Sequence, residues 1–249
     1  MSHPAQPLEH EHTPGAIRQR ISSATAHSYL GDFVLGAVDG TVTTFAVVTG
    51  AAGAGLHSNV ALVLGVANLL ADGFSMAAGN YLSTKSARQV VERVRRVEER
   101  HIEMVPEGER EEIRQIFAAK GFSGPLLDQI VDVITRDRRR WVDTMITEEF
   151  GLALENPSPL RAAGSTYIAF VLAGIVPLVP LMMAGQAKPP VIFQTSALLT
   201  AGIFFLIGVC KGHVVHRPLL ASGLETLFIG SAAAGLSYVV GVWLKGLAG

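Results

Sequence analysis

Two aspartates lie inside runs that otherwise carry no charge: Asp39 in Gly36-Ala37-Val38-Asp39-Gly40-Thr41, and Asp72 in Leu69-Leu70-Ala71-Asp72-Gly73-Phe74-Ser75-Met76. At a bilayer centre an acid costs at least about 2.5–3.5 kcal/mol, so each is a candidate for handling an ion or a proton. Around Asp72 the residues Asn68, Asp72, Met76 and Asn80 recur every four positions, which on a helix sets them in one stripe. Oxygen donors alone suit Mg²⁺ or Ca²⁺, whereas a thioether beside a carboxylate favours a transition ion such as Fe²⁺. The plainer alternatives are that Met76 fills core space and that two protonated acids merely hydrogen-bond between helices.

A second set of donors falls in residues 85–161. Glu98 and His101 are three apart, as are Glu109 and Glu112, while Met145 and Glu149 are four apart. Each pair shares a helix face, the spacing by which helical bundles present Glu-x-x-His and glutamate pairs to iron. Charge runs of this kind also mark solvated, salt-bridged faces, and Glu92 with Arg96 or Glu107 with Arg110 fit that reading. The tail segment Glu9-His10-Glu11-His12, with His3 nearby, could collect metal or be only a solvated end. Gly50 to Gly55 is glycine-rich, but no strand precedes it, so a phosphate-binding loop is rejected and no nucleic acid partner is expected.

Composition says what must position these groups. The chain has 249 residues, 49% hydrophobic and 16% charged, with 26 glycines and a mean hydropathy of +0.37. Those values exclude a disordered chain, a collagen repeat and a disulfide-rich module, and the lone Cys210 excludes an intrachain disulfide. The net charge of −1 conceals a division, because residues 85–161 hold 14 of the 20 Lys and Arg and 15 of the 21 acids. The rest reads as a membrane body. Five segments meet the requirement of about 20 mostly apolar residues, near Phe33–Gly55, Val60–Ser83, Gly164–Ala184, Val191–Gly212 and Gly223–Leu244. Pro177 and Pro180 should break the third. Gly36 and Gly40 form a GxxxG pair, which we read as intrachain packing rather than as a dimer contact.

All basic residues except Lys188 and Lys245 fall on one side of that layout, which places the N-terminus and the insert in the cytoplasm and the C-terminus outside. The expected domains are a tail with an interfacial helix near Ile17–Tyr29 (1–32), the first two spans (33–84), a polar insert (85–161) and the last three spans (162–249). Within the insert the second span continues as a helix to about Met104. A helix over Glu107–Lys120 follows, and a third over Pro125–Leu152 is capped by Ser123.

With these residues in view, the chain resembles a known family. Val34-Leu35-Gly36-Ala37-Val38-Asp39-Gly40, the run from Ala71 to Ser83, Trp141-Val142-Asp143-Thr144-Met145 and the span with Pro177 and Pro180 are similar to the vacuolar iron transporter (nodulin-21-like) family. The likeness covers nearly everything after residue 30. It implies an all-α membrane protein of five transmembrane helices, with a three-helix cytoplasmic metal-binding domain inserted between the second and third. It further implies a homodimer with a pore between the subunits, and export of Fe²⁺, with Mn²⁺ as a second cargo, from the cytosol in exchange for protons. Asp39 and Met76 match the family's pore residues, and Glu98, Glu109, Glu112, Met145 and Glu149 match its metal-binding domain. There are three departures. A family pore glutamate falls on Asn68, with Asp72 one turn later as a substitute carboxylate. A domain glutamate falls on His101, which ligates metal when neutral. Many bacterial relatives carry an acid where this chain has Asn80.

The resulting expectation is a multi-pass membrane transporter, in the inner membrane if the source is bacterial, and not an enzyme. Its partners would be divalent ions, protons, lipid and a second copy. No cofactor is permanently bound; Fe²⁺, Mn²⁺ or Zn²⁺ is both cargo and regulatory ion. The competing readings are a membrane-anchored iron buffer or ferroxidase-like protein whose insert does the work, and a carrier for a non-metal solute.

Overall fold

The computed structural model describes residues 11–23, 28–183 and 188–248, and all regular structure among them is helical. His3, Glu9 and His10 of the tail reading lie outside the described residues. Helix α1 (Pro14–Ser23) begins earlier than the expected interfacial helix, because Thr13 accepts a hydrogen bond from the Ala16 N–H and Pro14 suits a first turn. Five helical stretches are long and apolar enough to cross a membrane: Leu30–Gly53, Ser58–Met104, Pro159–Met182, Pro190–Val214 and Leu219–Leu247. The chain divides into two compact units, one of Tyr29–Ser86 with Ser158–Gly249, the other of Met1–Ser28 with Ala87–Pro157.

In the first unit helix α2 (Leu30–Gly53) is the centre. Close backbone approach explains its glycines: a Cβ on Gly36 would lie 2.3 Å from the Thr166 carbonyl oxygen, and one on Gly40 2.3 Å from that of Phe170. The GxxxG pair is therefore spent on packing within the chain, against the helix at Pro159–Gly174. The last apolar helix, Leu219–Ala248, meets the other end of α2 in the same way, Gly241 lying against the Gly50 carbonyl. Helix α3 (Ser58–Met104) is continuous through both units and buries a row of every fourth residue: Ala61, Gly65, Leu69, Gly73 and Ala77. Gly65 faces the Leu178 side chain and Gly73 that of Phe170.

The third span breaks where its prolines require. It runs as Pro159–Gly174, a 3-10 turn at Val176–Leu178 and a final turn at Val179–Met182. The carbonyl that the break strands is satisfied from the neighbouring Pro189–Val214 helix, whose Ser196 hydroxyl donates to the Pro177 oxygen at 2.6 Å.

In the insert, helix α4 (Pro106–Ala119) follows the expected line, but the helix expected over Pro125–Leu152 is two, α5 (Gly124–Thr135) and α6 (Arg138–Glu148). The cause is Asp137, whose extended backbone ends one helix and whose carboxylate caps the next by accepting from the Arg140 N–H at 3.0 Å. That bond holds the Asp137 carboxyl below its usual range. With the end of α3 the insert thus has four helical segments rather than three. Ser123 occupies the cap position of α5, but its side chain makes no capping bond. Ile113, Val131, Trp141 and Met145 form the core of these segments. The remaining apolar helices are α7 (Pro159–Gly174), α8 (Val179–Met182), α9 (Pro189–Val214) and α10 (Leu219–Ala248).

Candidate functional site

Charges in the insert pair over long sequence distances. Arg95 binds Asp143 at 2.6 Å, Arg114 binds Asp128 at 2.5 Å, Arg110 binds Asp132, and Lys120 binds Glu148. The local pairs expected from spacing do not form: Glu92 pairs with Arg88, and Arg110 turns to Asp132 rather than to Glu107. The consequence is that these cations are committed elsewhere, and a separate group of acids has none.

That group is drawn from three elements. Glu98, His101 and Glu109 bring one donor atom each to within 4.8 Å of one another, and so do Glu98, Glu112 and Glu149, so Glu98 belongs to both triads. Glu98 is 2% exposed and Glu109 3%, and each has a buried carboxylate oxygen with no hydrogen-bond partner. A buried unsatisfied polar atom costs about 1–3 kcal/mol, and more when charged. His101 Nδ1 lies 3.3 Å from Glu109, with its ring half exposed. Among the described residues no lysine or arginine is paired with Glu98, Glu109, Glu112 or Glu149. Met145 is fully buried one turn before Glu149, packed in the apolar core with Ile113 and Trp141.

Electrostatics follow from that crowding. Burial, then the charges of Glu109, Glu149 and Glu112, push the Glu98 carboxyl up to about 7. Burial and Glu109 raise Glu112, and burial, Glu112 and Glu109 raise Glu149. Hard oxygens with one imidazole, short of positive charge, are a donor set that a divalent cation would complete.

The second constellation lies in the unit built around α2. The Asn80 amide donates to the Asp32 carboxylate at 2.8 Å and contacts the Thr166 hydroxyl at 2.7 Å, tying α3 to α2 and α7. The Thr84 hydroxyl donates to the Asn80 carbonyl at 3.3 Å. Because α2 and α3 run in opposite directions, the same register brings Asp39 opposite Asp72, close enough for their charges to interact. It then carries Thr44 to the level of Asn68, and the Asn68 amide nitrogen and the Thr44 hydroxyl are both buried without a partner. Met76 lies between the two levels, partly buried against the core. Asp72 is exposed at the surface of the chain. Asp32 is the residue that sequence reading missed; its spacing of seven from Asp39, two turns along one face, was the available signal.

Comparison with known proteins bears on this geometry. The model of the VIT family matches residues 30–242, which takes in every residue of both constellations. The chain belongs to the VIT family. Among proteins of this family it is 34% identical over 217 residues to vacuolar iron transporter 1 of Arabidopsis thaliana, covering 86% of this chain and 85% of that one. It is 33% identical over 218 residues to vacuolar iron transporter 1 of Oryza sativa subsp. japonica (86% and 84% covered). To the vacuolar iron transporter of Toxoplasma gondii it is 31% identical over 229 residues (89% and 76%). These VIT-family relatives are named as transporters, and five apolar helices fit an integral multi-pass membrane protein.

Proposed function

We propose that this chain moves Fe²⁺, with Mn²⁺ as a second cargo, out of the cytosol in exchange for protons. The observation that carries the reading is the facing of Asp39 and Asp72 on two membrane-length helices, unpaired with any lysine or arginine among the described residues. A bound divalent ion relieves their repulsion and so do protons, and competition for one site is what couples opposite fluxes. Met76 adds a softer donor that suits a transition ion over Mg²⁺ or Ca²⁺. The names of the relatives support iron as cargo. The distribution of basic residues supports a cytoplasmic N-terminus and insert, where the Glu98 cluster collects Fe²⁺, Mn²⁺ or Zn²⁺ before transport.

The working form is a homodimer. Asp72 is exposed, and beside it on α3 runs an exposed row of small residues, Ala71, Ser75, Gly79 and Ser83. A second copy laid on this face would remove the carboxylate from lipid and enclose an ion path. Fe²⁺ flux into proteoliposomes, with and without an imposed pH gradient, tests the whole reading. Asp39→Ala is expected to reduce flux to that of protein-free vesicles; undiminished flux would refute the pathway.

The two triads sharing Glu98 favour one alternative, an iron buffer or ferroxidase-like insert that the helices only anchor. That version requires Asp39→Ala and Asp72→Asn to leave iron binding and oxidation intact in a protein that shows no flux at all.

A further inference from the structure

Between the first half of α2 and the end of α9 the chain has an apolar groove of about 360 Å³. Val34, Leu35 and Val38 of α2 form one wall, Val214 of α9 and Val215 just beyond it the other, and Lys211 stands in it. Among the described lining residues Lys211 alone carries charge. Its ammonium is 3.6 Å from Glu225 of α10, an ion pair too long for a hydrogen bond, between side chains 40% and 60% exposed. Its donors are therefore not consumed.

The end of α9 places a second cation nearby in the sequence. His216 adopts a left-handed backbone (φ 51°), and the Arg217 N–H then reaches back to the Gly212 carbonyl at 2.9 Å, closing the helix and fixing Arg217 just beyond it. Lys211 and Arg217 thus fall within seven residues, and Glu225 is paired with Lys211. An apolar channel ending on a lysine, beside an arginine at a helix terminus, is complementary to a molecule with a long hydrocarbon and a terminal anion.

We propose that this groove binds an anionic phospholipid, one acyl chain lying between α2 and α9 and the phosphate resting on Lys211. Basic pockets between membrane helices hold acidic headgroups in this way. The site is separate from the metal constellations and does not depend on the cargo.

The test is native mass spectrometry of the full-length protein in detergent, titrated with phosphatidylglycerol or with phosphatidylcholine of the same chains. One basic residue at a membrane surface gives about a fivefold preference for the anionic lipid. Lys211→Ala should abolish that preference and Lys211→Arg retain it. Val34→Trp, which fills the groove, should reduce binding of both lipids. Glu225→Gln separates this from a structural role of the ion pair: the proposal requires it to strengthen the preference, whereas an ion pair that matters only for folding requires it to mimic Lys211→Ala. Equal binding of both lipids, an unchanged preference in Lys211→Ala, or displacement of the lipid by glycerol phosphate alone would overturn the proposal.

Discussion

Glu98 sets the pH behaviour of the insert. Its carboxyl titrates near 7 in the folded chain against 4.5 when free, so between those values the folded state holds a proton that the unfolded state has released. Stability contributed by this group is present below about 4.5 and is lost as pH rises through about 7. Glu112 and Glu149 are raised and act in the same sense. On the proposed reading a divalent ion would take over the proton's role at the alkaline end. Thermal melting should therefore show the metal-free protein gaining stability as pH falls below about 7. Stabilisation by Mn²⁺ should be largest above that value and fade toward 4.5. Glu98→Gln should flatten both trends; a metal-induced shift that does not change with pH would refute the assignment. Individual residues were legible to the extent that their oddity was local. Asp39 and Asp72 stand out because nothing charged surrounds them in sequence. Asp32 sits near the edge of its span, and its bond to Asn80, 48 positions away, exists only through the register of two antiparallel helices.

At the scale of elements, glycine placement decides which helices can touch. Adding a methyl group at Gly40 would drive it into the Phe170 backbone, which cannot yield as a side chain would. Gly40→Ala is expected to destabilise by about 1–3 kcal/mol, the usual range for overpacking. Gly202, also helical, has nothing near the position of a new Cβ, and Gly202→Ala should be neutral or stabilising by up to about 1 kcal/mol. Melting of the two variants in micelles makes the comparison, and equal effects would contradict the packing described for α2 and α7. The apolar helices were readable from hydropathy, and the break in the third from its prolines. The division of α5 from α6 was not, because apolar spacing continues across Arg136-Asp137-Arg138 and only the cap on Arg140 reveals the stop. Salt bridges were misread for a related reason: neighbours in sequence compete with partners from other helices, and Arg110 reached Asp132 instead.

For the molecule as a whole, the near-zero net charge separates into a polar unit dense in charges of both signs and an apolar unit with few. The proposed dimer can be tested with one engineered thiol, since Cys210 is the only native cysteine. In a Cys210→Ser background, Ser75→Cys should cross-link two chains in native membranes, while Leu70→Cys, exposed on another face of α3, should not. Failure at Ser75 would count against a path between subunits. The three rows along α3, small, polar and buried, share a repeat of four residues, so a screw step of about 6 Å along the axis superimposes each row on itself. Asn68 would then stand where Asp72 was, and Asp72 where Met76 was. Such a slip would bring Ala61 to the place of Gly65, where a Cβ would lie 2.5 Å from the Leu178 side chain, and Leu69 to the place of Gly73, against Phe170. Leu69 would also have to leave its seat over Gly174. The buried row is thus a rack with several teeth engaged, and packing at Gly65, Leu69 and Gly73 together keeps Asp72, rather than Asn68 or Met76, across from Asp39.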